Sequence, residues 1–254
     1  MFEARNDKTL TRLEFRRDLM KIGGLMKLTL LDFPGKVACT VFLEGCNFRC
    51  PFCHNADMVE SLSPDEMTEE EFFKFLTKRK GLLDGVCISG GEPLMSDDVI
   101  PFIQKIKDMG YSVKVDTNGS FPERLKKIAE MGLCDYIAMD IKNSPEKYSI
   151  TAGNKNISFE SVRESIEFIK NSGIPHEFRT TVVKDFHTPE DVAEIGKIVG
   201  KDEKYFIQPF RNGESVLVQG LGEFELHEIE ELLKSAREFA PLSEIRGADA
   251  QTKE

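Results

Sequence analysis

Short apolar runs alternate with amphipathic stretches from residue 37 almost to the end of the chain. Residues 37–43, 85–89, 112–117, 135–141, 176–183 and 204–208 are brief, apolar runs bounded by turn residues, and they predict six strands. Between them, residues 68–80, 96–109, 122–131, 158–171 and 188–199 carry apolar positions at helical spacing, and a last helix is expected over 225–239. The run Met67-Thr68-Glu69-Glu70-Glu71 predicts a capped first turn, because a threonine hydroxyl and early acidic residues suit the exposed N–H groups of a helix start. Six β-then-α units in series imply a parallel sheet with right-handed crossovers. The pattern leaves a doubly wound sheet and a barrel both open.

At 254 residues the chain is long enough for one large α/β domain. It is expected over 25–240, preceded by a basic segment at 1–24 and followed by a tail at 241–254. The net charge of -10 argues against a nucleic-acid binder, which would carry a basic footprint. Arg5, Lys8, Arg12, Arg16, Arg17, Lys21 and Lys27 oppose that trend at the N-terminus, as a solvated arm or a docking surface for an acidic partner. No apolar run approaches membrane-spanning length and no signal-peptide pattern is present, so no membrane association and a cytoplasmic location are expected. In a reducing cytosol six cysteines point to metal or catalytic roles rather than disulfides. Cys39, Cys87 and Cys134 lie in or beside apolar runs and read as small core residues.

The other three cysteines change the picture. Cys46, Cys50 and Cys53 stand at C-x3-C-x2-C spacing in the loop after the first expected strand. Four ligands close a structural zinc site and four cysteines an ordinary iron–sulfur cluster, so three leave a metal position open for a ligand. A zinc loop completed by His54 is the plainer alternative, but a histidine adjacent to the last cysteine is poorly placed to join the same tetrahedron.

This loop, with Phe52 just before its third cysteine, resembles the cluster motif of the radical S-adenosylmethionine superfamily. The lead-in Gly23-Gly24-Leu25 and Leu31-Asp32-Phe33-Pro34-Gly35-Lys36, and the exit Cys53-His54-Asn55, resemble the glycyl-radical activating enzymes. Among these the text is most similar to the activators of anaerobic ribonucleotide reductase. The resemblance runs from about residue 22 to 208, and it implies a partial (β/α)6 barrel with its site at the C-terminal ends of the strands.

On that resemblance Cys46, Cys50 and Cys53 hold one [4Fe-4S] cluster, with S-adenosylmethionine on the open iron. Ser89-Gly90-Gly91-Glu92-Pro93 is similar to the superfamily turn whose backbone and Glu92 hold the methionine amino group, and the glycines allow close backbone approach. Asp116, Thr117 and Asn118 would line the cofactor pocket near carboxylate and ribose. Lys142 would meet the cofactor carboxylate. Alternation sends Asp140 and Lys142 to one side, and an inward charged pair is costly unless matched to a partner. Asp116 and Asp140 are expected to share a monovalent cation. Arg179 and Gln208 read either as contacts to the adenosine half or the peptide substrate, or as hydrogen-bonded barrel residues. His176, His187 and His227 show no partner spacing and receive no role.

The implied activity is reductive cleavage of S-adenosylmethionine to a 5′-deoxyadenosyl radical. That radical takes a hydrogen from a glycine of a glycyl-radical enzyme, with anaerobic ribonucleotide reductase the expected partner and a flavodoxin- or ferredoxin-type protein the electron donor. The cofactor carries the chemistry, so no catalytic side chain beyond cluster and cofactor is expected. Two alternatives stay open. One is a superfamily enzyme acting on a small molecule or peptide, such as a deazapurine synthase-like enzyme. The other is an iron–sulfur electron carrier.

Overall fold

The computed structural model describes residues 20–59 and 67–247. One eight-stranded sheet runs in chain order: β1 (Ile22–Thr29), β2 (Ala38–Leu43), β3 (Gly85–Gly90), β4 (Ser112–Thr117), β5 (Tyr136–Asp140), β6 (His176–Val182), β7 (Tyr205–Pro209) and β8 (Ser243–Ile245). Strands β2 to β7 are parallel and β1 is antiparallel to β2. Helices α1 (Ala56–Val59) and α2 (Glu69–Lys78) follow β2, and α3 (Val99–Asp108) and α4 (Pro122–Glu130) follow β3 and β4. After β5 come α5 (Tyr148–Thr151) and α6 (Phe159–Asn171), then α7 (Pro189–Val199) after β6 and α8 (Leu226–Arg237) after β7. These are the six expected β/α units, and β1 and β8 are the ends of the sheet, so the barrel is partial.

Alternation sorts the sheet into two chemistries. Val41, Ile88, Val115, Met139, Phe178 and Ile207 point to the outer face and are fully buried under the apolar sides of the helices. Val99, Phe102 and Ile106 of α3, Val162, Ile166 and Ile169 of α6 and Val192, Ile195 and Val199 of α7 supply those sides at helical spacing. At about 25 cal/mol per Å² of apolar surface removed from water, this two-layer contact is the main stabilising term. The ends are fixed locally: Thr68 and Glu71 form a capping box on α2, and Thr188 and Asp191 one on α7.

The inner face is polar. Lys114, 1% exposed, pairs with Asp116 and reaches Cys87 Sγ at 3.7 Å, so Cys87 borders the polar lumen rather than the apolar layer. Lower in the barrel, Arg246 grips Glu177 with two hydrogen bonds, of 2.6 and 2.9 Å, and Tyr136 donates to the same carboxylate at 3.0 Å. Such buried charges persist because each has a partner.

The sheet crosses the bounds expected for the domain at both ends. β1 begins at Ile22, and β8 lies beyond residue 240, paired with β7. Both are edge strands with a weak pattern: β1 leaves Met26 and Leu28 exposed, and β8 is three residues long. Residues 1–19 and 248–254, which carry most of the basic segment and half of the tail, lie outside the described residues.

Candidate active site

The chain leaves β2 into the cysteine loop, and four neighbouring segments hold that loop. Gly91 N–H donates to Leu43 O at 2.8 Å and Glu92 N–H to Gly45 O at 2.8 Å, so the Gly-Gly-Glu-Pro turn pairs with the entry to the loop. Both glycines are required sterically. Gly90 has φ +113°, and a Cβ on Gly91 would stand 2.0 Å from Gly45 O. Asn118 Nδ2 donates to Asn47 Oδ1 at 3.0 Å, and Asn154 Nδ2 to Asn47 O at 2.7 Å. Leu217 and Val218, after β7, donate their N–H groups to Cys53 O and Pro51 O at 3.1 and 2.9 Å. Asn55 closes the loop by donating to Gly90 O at 3.1 Å.

A cavity of about 220 Å³ opens above this frame at the C-terminal ends of the strands. Cys46, Cys50 and Cys53 line it together with Phe52, Gly90, Gly91, Asp116, Thr117, Asn118, Asp140, Lys142 and Arg179. Phe48, His54, Asn55, Val59, Ser89 and Thr181 complete the wall. Of these, Thr181 could have been found by alternation from Arg179 on the same strand.

Two expected residues are placed differently. Glu92 lies beneath the cavity, 3% exposed, with its carboxylate accepting from Leu94 N, Thr117 Oγ1 and Asn118 N at 3.0, 2.8 and 2.6 Å. Burial pushes this carboxyl up to about 7, and those hydrogen bonds hold it lower than burial alone would. Glu92 thus braces the β3 and β4 turns. Gln208 does not line the cavity. It pairs in register with Thr181 on β7, one strand farther round the sheet than the wall extends.

The charged wall is a chain. Arg179 Nε donates to Asp140 Oδ1 at 2.8 Å, Arg179 Nη2 stands 3.5 Å from Asp116 Oδ2, and Lys142 Nζ donates to Asp140 Oδ2 at 3.2 Å. The place expected for a monovalent cation, between Asp116 and Asp140, therefore carries a guanidinium from the protein itself. Burial alone would raise the Asp140 carboxyl, but Arg179 and Lys142 outweigh it and hold it below the usual carboxylate range. Burial alone would lower the Lys142 ammonium, yet Asp140 beside it keeps it raised and charged. A charged Lys142 on the cavity wall suits an anionic group such as a carboxylate.

The thiols sit in an apolar collar. Phe52 packs against Phe186, His187 and Phe210 with ring centroids 6.0 to 6.5 Å apart, and Phe210 also meets His54 at 5.5 Å. Burial pushes Cys46 up to about 11 and Cys50 to about 12, so a bound metal must displace their protons. Among the described residues no three His, Cys, Asp or Glu side chains converge to hold one metal ion. Three thiols on one wall, next to a glycine cradle and a lysine, fit a multi-iron cluster whose ligand sulfurs each bind a different iron.

His187 was not legible as a contributor. It is buried, accepts Val183 N–H on Nδ1 at 3.1 Å and bonds Lys142 O through Nε2 at 2.8 Å. It thereby fixes the backbone that carries Lys142. No spacing signal marks it, because its partners are main-chain groups.

Fold and site together define an open-barrel α/β protein whose cavity is built around three loop thiols. A family model described as the Radical SAM superfamily matches residues 40–199, more than half of the chain, and the chain belongs to that superfamily. A protein of Methanocaldococcus jannaschii described as a candidate glycyl-radical enzyme activating enzyme is 34% identical over 193 residues, covering 74% of this chain and 79% of that protein. The pyruvate formate-lyase-activating enzyme of Clostridium pasteurianum is 29% identical over 201 residues, 75% of this chain and 82% of that enzyme. The fold is shared with a radical SAM methyltransferase from Sphaerobacter thermophilus at TM-score 0.66 and 13% identity, over 86% of this chain and 68% of that one.

Proposed function

We propose that this chain is a glycyl-radical enzyme activase: it cleaves S-adenosylmethionine reductively and transfers the radical to a backbone glycine of a partner enzyme. The single observation that carries the reading is the convergence of Cys46, Cys50 and Cys53, the Gly90-Gly91 cradle and the Lys142 ammonium on one cavity wall. Similarity to activating enzymes over about three-quarters of the chain supports it. A [4Fe-4S] cluster on the three cysteines would supply the electron and an open iron for the amino and carboxylate groups of S-adenosylmethionine.

The residues present have defined tasks in that scheme. Gly90 and Gly91 line the cavity at the strand end, and a Cβ on Gly90 would collide with Leu43 at the end of β2 and one on Gly91 with Gly45 of the cysteine loop. Lys142 would meet the carboxylate of the cofactor, and Asp140 with Arg179 holds that lysine in place. Phe48 and Phe52 stand beside the thiols on the cavity wall, Phe52 backed by Phe210, and would limit water around a bound cluster. The sheet does not close between β1 and β8, which suits a substrate carried on another protein's backbone. The partner we assign is anaerobic ribonucleotide reductase, the electron donor a flavodoxin- or ferredoxin-type protein, and the compartment the cytoplasm.

Anaerobic reconstitution tests the chemistry. The reduced protein is expected to convert S-adenosylmethionine to methionine and 5′-deoxyadenosine, and Cys50→Ala to lose both the four-iron spectrum and cleavage. An intact cluster in Cys50→Ala would sink the ligand assignment.

A further inference from the structure

Asn47 stands between Cys46 and Phe48 in the cysteine loop, and the protein fixes both its side chain and its main chain. The side chain belongs to a closed ring. Asn118 Nδ2 donates to Asn47 Oδ1 at 3.0 Å, Asn47 Nδ2 to Ser120 Oγ at 2.9 Å, and Ser120 Oγ to Asn118 Oδ1 at 2.6 Å. The backbone N–H of Ser120, which can only donate, also reaches Asn118 Oδ1 at 3.0 Å and so sets the direction of the ring.

The main chain of Asn47 is held from another segment. Asn154, in the turn between α5 and α6, donates from Nδ2 to Asn47 O at 2.7 Å. Asn156 N–H donates to Asn154 Oδ1 at 3.0 Å, so this amide too is oriented by a main-chain donor. The turn lies hard against the loop: Arg49 N–H donates to Ala152 O at 2.8 Å, and a Cβ on Gly153 would stand 2.0 Å from Arg49 O. Asn47 O and Phe48 N–H are the two ends of one planar peptide group. That N–H donates to Cys46 Sγ, with nitrogen and sulfur 3.3 Å apart. Holding the carbonyl end fixes the plane, and a donor on that oxygen polarises the N–H at the other end. Phe48 is 2% exposed, and a hydrogen bond shielded from water is electrostatically stronger.

We propose that Asn154 is a positioning residue: by holding the Asn47 carbonyl it aims the Phe48 N–H at the Cys46 sulfur, and so raises the reduction potential of a cluster bound there. A ligating thiolate carries charge and accepts more strongly than a thiol. An N–H donated to it draws electron density from the sulfur and favours the reduced form. Asn154 does not line the cavity, so it acts through the loop and not by touching S-adenosylmethionine. This rests on the reading that Cys46, Cys50 and Cys53 hold a four-iron cluster.

The test compares full-length wild type with Asn154→Leu, which removes the donor and adds no charge. Asn154→Ala, a smaller neutral replacement, serves where leucine disturbs the turn. After anaerobic reconstitution both are expected to hold the wild-type amount of iron and sulfide, because no cysteine is touched. Their midpoint potentials, titrated by electron paramagnetic resonance, are expected to shift to more negative values. A fully loaded variant with the wild-type potential overturns the proposal and leaves the cluster reading standing. Loss of iron from both variants overturns it as well, since Asn154 would then serve cluster assembly and not the potential. A wild-type protein that assembles no four-iron cluster overturns the cluster reading too, and its iron and sulfide content alone identifies that failure.

Discussion

The backbone N–H of Asn118 donates to Glu92 Oε2 across 2.6 Å and ties the end of β4 to the turn after β3. Leu94 N and Thr117 Oγ1 donate to the other oxygen, so one buried carboxylate satisfies three donors under the cavity floor. Glu92→Ala strands two buried N–H groups and should cost about 1–3 kcal/mol for each that stays unpaired. Urea unfolding of the metal-free variant measures this. Iron uptake should survive, because no cysteine is touched, while cofactor affinity falls by about tenfold or more, some 1.4 kcal/mol.

His187 makes the stability pH-dependent. Nδ1 accepts from Val183 N–H at 3.1 Å and stands 3.3 Å from Val183 O, and Nε2 faces the Lys142 carbonyl at 2.8 Å, an arrangement that the neutral ring with its proton on Nε2 satisfies. Burial lowers its affinity for a proton below the ordinary histidine value of 6.5. A lowered value means that the unfolded chain binds the proton first, so the contribution of His187 is fully present above pH 6.5 and fades as pH falls through the folded value. Denaturation midpoints of wild type should therefore drop on acidification, and His187→Gln should lose that part of the slope. An identical slope in both proteins would refute the assignment.

Arg179 is the counter-ion of Asp116 and Asp140 and stands 4.0 Å from a third carboxylate, Glu177. Arg179→Gln leaves Asp116 and Asp140 facing one another with one partner fewer, and breaking such a buried pair costs about 3–5 kcal/mol. Binding of S-adenosylmethionine to the wild-type protein should be indifferent to potassium or sodium. The Gln variant should acquire a dependence on one of them, as a bound ion replaces the guanidinium. Equilibrium dialysis in the two salts measures it, and a salt requirement in wild type would contradict the role given to Arg179.

The elements were legible because the strands are apolar on their outer face and the helices carry matching stripes. β4 runs over the residues its pattern predicts, and the other parallel strands and the long helices shift by only a few residues at their ends. The edge strands β1 and β8 were not legible, since a strand with one wet face or three residues lacks the pattern. The cysteines stood out by their spacing, while the paired glycines and Lys142 were singled out through the family resemblance, and all of them line one cavity. What Glu92, Arg179 and His187 touch was not legible. Each acts across 26 to 45 positions of sequence through backbone or counter-charge contacts that no local pattern records.

Gly91→Ala isolates the role of close approach. A Cβ there would meet Gly45 O at 2.0 Å, and the obstacle is backbone, so the cysteine loop itself must shift. We expect loss of most bound iron after reconstitution. Gly132→Ala is the control, since a Cβ there meets nothing within 4 Å, although its φ of +66° adds local strain. Equal iron in Gly91→Ala and wild type would remove the steric argument.

The activase reading is tested most directly by electron paramagnetic resonance of the reconstituted, reduced protein mixed with S-adenosylmethionine and an anaerobic ribonucleotide reductase. The account predicts a glycyl-radical doublet on the reductase, with 5′-deoxyadenosine formed alongside it. Formation of 5′-deoxyadenosine with no protein radical would contradict it.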